Sequence, residues 1–234
     1  MMADLVLQLD PSVAREDLCR FIAACYYEPG PEFVEEGLFD SMVEAARRID
    51  PALAALAAPL SGSFAAQNLE ALLVDYTRLF LGPIAPLARP NGSFWLGGET
   101  TLMQDSTMAV QALYQEGGFD IDEAFHELPD HVAVELEFLY LTIFRRHEAQ
   151  RAGDGDALRD LTRLQIFAKE LPKSLTALSR QDLEAFPVAG VARILEPAIK
   201  DIKEIDADAP VRLSVAGCRT GGRHGPRRRT SWRR

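Results

Sequence analysis

The chain has 234 residues, of which 47% are apolar and 26% charged, enough for one substantial domain with a buried core and typical of a globular protein. No run approaches the roughly 20 consecutive apolar residues needed to span a bilayer, which argues against an integral membrane protein. The net charge of −10 divides unevenly: residues 1–210 carry 17 basic and 35 acidic side chains, and residues 211–234 carry eight arginines and no acid. An acidic body disfavours nucleic acid and favours basic partners, although charge alone is equally met by a merely solvated surface.

The first residues, MMADLVLQLDPS, hold Asp4 and Asp10 and no basic leader, so a secretory signal is not expected and the chain is expected in the cytoplasm. Asp10-Pro11 predicts an N-cap followed by proline at the first helical position. Leu18, Phe21, Ile22 and Cys25 mark one face of that helix, and Pro29-Gly30-Pro31 ends it. Cys19 and Cys25 lie about 120° apart around the axis, poor geometry for a disulfide. With Cys218 they make an odd, sparse set of thiols that suits a reducing compartment.

A second helix is predicted over Asp40–Ile49 and a short one after Pro51. Leu69, Leu72, Leu73, Tyr76, Leu79 and Phe80 form the apolar face of the next, which stops at Gly82-Pro83. Residues 82–98, GPIAPLARPNGSFWLGG, hold three prolines and four glycines and are expected to be non-helical. Ile84, Leu87, Phe94, Trp95 and Leu96 are too apolar for a plain linker, so this loop is either functional or pinned to the core by its aromatics.

Helix is predicted to resume near Thr100 and run to Gly117-Gly118, followed by a short acidic turn or helix over Asp120–Phe125. Pro129 opens the longest helix, with Asp130 in its first turn and Val132, Leu136, Leu139 and Ile143 as its stripe. Arg145, Arg146 and His147 are placed at its C-terminal end, where cations suit the helix dipole. Gly153 and Gly155 precede a helix with Leu158, Leu161 and Leu164. Pro172 starts a short one, and Val188, Val191, Leu195, Ile199 and Ile202 face the last. No period-2 alternation and no fixed-period repeat is present, so the fold class is all-α in a single multi-helix domain over 1–210. After Pro210 the composition turns to Arg and Gly, which predicts a basic, disordered tail over 211–234, native or artefactual, with no assigned role.

The densest cluster of functional side chains is HELPDHVAVELEF. His131 and Glu135, four apart, share a helical face and could ligate a metal. However, the histidines follow HExxxH rather than HExxH spacing, and Pro129 separates His126 from the helix of His131. The competing structural reading gives Asp130 to the helix N-terminus and bonds His131 locally to Glu135 or a loop carbonyl. There is no phosphate-binding glycine loop, no GxSxG elbow and no CxxC pair.

The run Glu127-Leu128-Pro129-Asp130-His131 followed by Glu135-Leu136-Glu137-Phe138-Leu139 resembles the signature of the TorD/DmsD/NarJ family of redox-enzyme maturation chaperones. Tyr76-Thr77-Arg78-Leu79-Phe80 with Pro83, Pro86, Pro90 and Ser93-Phe94-Trp95-Leu96 is similar to that family's Y-x-x-L-F pattern and proline-rich loop. Phe167–Leu178 and Phe186–Leu195 look like its C-terminal helices, so the resemblance covers roughly residues 12–205; the lack of the family's His-Leu-x-x-Trp type segment near Glu170-Leu171 and the presence of the basic tail are departures.

The resemblance implies a non-enzymatic cytoplasmic chaperone with a TorD-like all-helical fold and no cofactor of its own. It would bind the twin-arginine signal peptide or N-terminal region of a molybdenum-containing oxidoreductase and hold it for cofactor insertion before export. The cofactor-insertion machinery would be a further partner. The alternatives are a NarJ-type assembly chaperone for a non-exported nitrate-reductase-like subunit and a metal-dependent enzyme using His131 and Glu135. In the chaperone reading Asp130, Glu127 and Glu135 receive arginine, His131 orients Asp130 or donates to a peptide carbonyl, and Pro129 fixes the turn. Tyr76, Phe80, Pro86 and Trp95 line the apolar part, although Tyr76 and Phe80 sit on a core stripe and read more readily as core than as groove. Proline- and glycine-rich loops as hinges leave open a monomer or a domain-swapped dimer.

Overall fold

The computed structural model describes residues 11–31, 37–82, 86–96, 105–121, 127–168 and 194. They form α1 (Pro11–Ala24), α2 (Leu38–Ile49), α3 (Pro51–Ala65), α4 (Leu69–Tyr76) with a π-helical turn (Thr77–Leu81), α5 (Gly92–Leu96), α6 (Asp105–Glu116), α7 (Val132–Ala152) and α8 (Gly155–Ala168). Among the described residues there is no β-strand; the one isolated bridge joins Asn91 to His131. The architecture is all-α. No described helix is long and apolar enough to cross a membrane.

Local signals set most boundaries. Asp50 closes α2 and opens α3, its carboxylate accepting the N–H of Ala52 at 2.7 Å with Pro51 at the first helical position. Asn68 caps α4 by accepting from Ala71 N–H at 2.8 Å. Gly153, at φ 71°, ends α7 in the left-handed region that glycine tolerates best.

Helix α7 organises the fold. Val132, Ala133, Leu136, Leu139 and Ile143 are buried, and burial extends around the helix to Val134, Glu135 and His147, as expected of a central element. Helices α1 and α8 both pack along α7, α2 packs on α1, and α3 on α2. His147 Nδ1 lies 2.9 Å from Glu16 Oε2, a buried polar tie between α7 and α1. Phe39 of α2 stacks on Phe64 of α3 at 3.9 Å between centroids. Tyr114 and Phe119 both contact Phe138 of α7, at 4.7 and 5.2 Å.

Four expectations change. The helix after Pro51 runs 15 residues, through Pro59, because burial of Leu53, Ala57, Leu60 and Phe64 offsets the lost backbone bond. The 82–98 loop contains a helical turn, α5. Asp130 precedes α7 and His131 is its N-cap, since His131 is extended and pairs with Asn91 in an isolated antiparallel bridge. Helix α7 continues to Ala152, so Arg145, Arg146 and His147 are internal to it. Arg145 instead donates to Gly117 O at 2.9 Å and covers the Phe119 ring, holding the end of α6. The expected Asp10 cap, the 120–125 turn in its main part, His126, nearly all of the segment from Pro172 onward, and the 211–234 tail lie outside the described residues.

Candidate functional site

The sequence cluster at 127–135 meets the 86–96 loop edge to edge. Val132 N–H donates to Pro90 O and Gly92 N–H to Asp130 O, both at 2.8 Å. Between these backbone bonds, Ser93 N–H donates to Asp130 Oδ2 at 2.7 Å. His131 Nδ1 accepts the N–H of Ala133 at 3.2 Å, a histidine N-cap. From α6, the Tyr114 hydroxyl donates to Pro129 O at 2.9 Å. The loop and the start of α7 are thus one hydrogen-bonded unit.

That unit is buried and carboxyl-rich. Asp130 and Glu135 are each 1% exposed. Burial, and then the Asp130 charge, push the Glu135 carboxyl well above the usual range. Burial likewise lowers His131 to about 4, against a smaller opposite pull from Asp130, so its imidazole is neutral at pH 7. Gly92 lies directly against Glu135: a β-carbon there would stand 3.1 Å from Glu135 Oε1. Among the described residues, Asp130 Oδ1, Glu135 Oε2, Asn91 Nδ2 and Ser93 Oγ find no hydrogen-bond partner. Among the described residues no three His, Cys, Asp or Glu side chains come together as a metal cage.

The remaining sequence-predicted residues lie around this unit. Glu127 is exposed and Pro129 half-buried in the turn before Asp130. Tyr76 is half-buried and packs edge-on against Phe80 at 5.3 Å; Phe80 is buried and meets Tyr26 at 5.6 Å. Phe80 is therefore a core residue, one of the two readings the sequence left open. Burial first, then the carboxylates of Glu127 and Glu28, push the Tyr76 hydroxyl up to about 12; both acids are exposed. Pro86 is half-buried, and the loop after it returns to the π-turn: Leu87 and Ala88 donate to Arg78 O and Leu79 O at 3.4 and 2.8 Å. The backbone of Trp95 lies in α5; its side chain is outside the described residues.

Sequence reasoning missed Asn91, Gly92, Ser93, Tyr114 and Glu28. Only the Asn-Gly-Ser run carried a signal, as a turn in an otherwise apolar loop.

Residues 44–173 match the family described as nitrate reductase delta subunit. Over 74 residues the chain is 36% identical to the Tat proofreading chaperone DmsD of Salmonella typhi, covering 32% of this chain and 36% of that protein. Over 80 residues it is 32% identical to the chaperone protein TorD of Vibrio parahaemolyticus, covering 34% and 37%. The matched stretches thus span little over a third of these curated relatives. A solved chain from Archaeoglobus fulgidus, assigned as a redox enzyme maturation protein, superposes with a TM-score of 0.40 at 21% identity, covering 69% of this chain and 93% of that one.

Proposed function

The chain belongs to the nitrate reductase delta subunit family, and we propose that it is a non-enzymatic cytoplasmic chaperone for a molybdenum-containing oxidoreductase. Its client segment is a twin-arginine signal peptide or N-terminal region, held until cofactor insertion is complete. One observation carries the reading: half-buried Tyr76 lies close enough to the exposed carboxylates Glu28 and Glu127 to feel both charges, while the same stretch of chain exposes Val74 and Leu81.

Val74 of α4 and Leu81 at the end of the π-turn are 52% and 55% exposed, with Leu87 exposed beside Arg78. A helix with its side chains is roughly 10 Å across, a distance that three or four extended residues span. A peptide with arginines followed by an apolar stretch matches that layout. Guanidinium meets Glu28 and Glu127, and apolar side chains meet Val74, Leu81 and Leu87, with Pro86 at the border. Asp130, His131, Pro129 and Glu135 form the rigid support behind Glu127, and Asp130 is a second arginine acceptor. The domain extends over 1–210 in this reading.

Calorimetric titration of the full chain with a twin-arginine peptide, and with its lysine-pair version, tests the reading. Micromolar or tighter binding that weakens with salt and with lysine supports it. The family's own description favours a second client, the N-terminus of a nitrate-reductase-like subunit. Binding to that segment alone would move the chain to the second branch.

A further inference from the structure

We propose that Asn91–Ser93 is a latch over two buried carboxyl groups, and that a client guanidinium reaches Asp130 by displacing the Ser93 amide. This rests on the reading above and adds to it how the second acceptor becomes available.

The closed latch is incompletely paired. Asp130 Oδ1, Glu135 Oε2, Asn91 Nδ2 and Ser93 Oγ all lack partners in residues at most 7% exposed. Buried polar atoms are almost always paired, so four orphans in one place mark a segment held below its full bonding capacity. The segment closes through two backbone bonds and the single Ser93–Asp130 bond. Each of the three has an equivalent partner in water or in a client.

Glu135 supplies the second half of the argument. Gly92 covers it so closely that no β-carbon fits without pushing Oε1 aside. The titratable groups around it are Asp130 before α7, His131 at its cap and Tyr114 from α6, with Glu137 and Tyr27 beyond Tyr114. None of these named groups supplies a cation at neutral pH: carboxyl and phenol groups carry no positive charge in either form, and His131 is neutral. The closed state therefore disfavours the ionised form of Glu135. Lifting Gly92 admits water, Glu135 ionises and one proton leaves. A guanidinium then finds two carboxylates, Asp130 and Glu135, in place of one hydrogen-bonded amide. Opening is favoured both by higher pH and by the client's charge.

Hydrogen exchange on the full chain tests this without presuming a client. Between pH 5 and 7, amide exchange by local opening rises about tenfold per pH unit from hydroxide catalysis alone. A proton released on opening adds up to about another tenfold. The expected slope of log rate for Gly92 and Ser93 thus exceeds about one in the native chain, up to about two, and is about one in Glu135→Gln, while Leu139 and Ile143 serve as internal references. A slope of about one in the native chain, or exchange of Ser93 only with global unfolding, overturns the latch. Saturating twin-arginine peptide is expected to speed Ser93 exchange at least about tenfold. Binding that slows Ser93 overturns the displacement step. If the peptide does not bind at all, the signal-binding reading fails, and the pH slope of the free chain still decides the latch.

Discussion

Ser93 donates its backbone N–H to Asp130 Oδ2 at 2.7 Å across 37 residues of sequence, so one carboxylate fixes both the proline-rich loop and the start of the longest helix. Replacing Asp130 by Ala strands a buried N–H and should cost about 1–3 kcal/mol in urea unfolding. Asp130→Asn keeps an acceptor for Ser93 and should stay within about 1 kcal/mol of the native chain. The Asn variant should nonetheless bind a twin-arginine peptide about 5- to 100-fold more weakly, because only the charge-assisted bond is lost. Equal affinity in a folded Asn variant would remove Asp130 as an arginine acceptor.

Gly92 tests the packing of the same unit. Its backbone is not left-handed, so alanine is excluded by space alone: the new carbon would sit 3.1 Å from Glu135 Oε1 and 3.7 Å from Asp130 O. Gly92→Ala should cost about 1–2 kcal/mol, and less than about half of that in a Glu135→Ala background. Additive losses in that double-mutant cycle would mean that Glu135 is not what confines Gly92.

The pH dependence of stability should have two opposed limbs. His131 is lowered to about 4 in the fold, so the unfolded chain binds more protons below the ordinary histidine value. Its contribution is full above about pH 6.5 and is lost as pH falls towards about 4. Glu135 is raised, so its contribution is full below about pH 4.3 and is lost as pH rises through its folded value. Urea midpoints of Glu135→Gln should therefore exceed those of the native chain at neutral pH by a margin that shrinks towards pH 4.5. His131→Asn, which keeps a good N-cap, should flatten the acid limb. A margin independent of pH would show that Glu135 is already ionised in the fold.

Much of this fold is legible in the sequence because caps and breakers act locally. Asp50-Pro51, Asn68 and Gly153 each mark a boundary that the structure uses, and the stripe of α7 follows from Val132, Leu136, Leu139 and Ile143. What is not legible depends on contacts across the chain. Helix α3 continues past Pro59 because its far end is buried against α2, a gain no window of residues reveals. Asp130 reads as a helix residue until Ser93, 37 residues away, takes its carboxylate. The grouping of Asp130, His131 and Glu135 is readable from the motif, but their burial is not. Glu28 comes to Tyr76 only through the packing of the end of α1 on the π-turn, where Tyr26 meets Phe80.

That last placement makes the surface part of the site testable apart from the buried part. Glu28 and Glu127 are both exposed, and replacing either or both by Gln should leave the urea midpoint unchanged within error. If they are the first contacts of a client arginine pair, the double variant should bind the twin-arginine peptide about tenfold more weakly at low salt, mostly through a slower on-rate. Because these charges are solvated, the difference should shrink as ionic strength rises and the Debye length falls to about 8 Å near physiological salt. The Asp130→Asn defect, buried behind Ser93, should persist at that salt, since low-dielectric pairs are screened less. Measuring both variants across the same salt series separates encounter from seating. If the Glu28/Glu127 variant shows no salt-dependent loss, the acids beside Tyr76 are only a solvated surface and the client's arginines dock elsewhere.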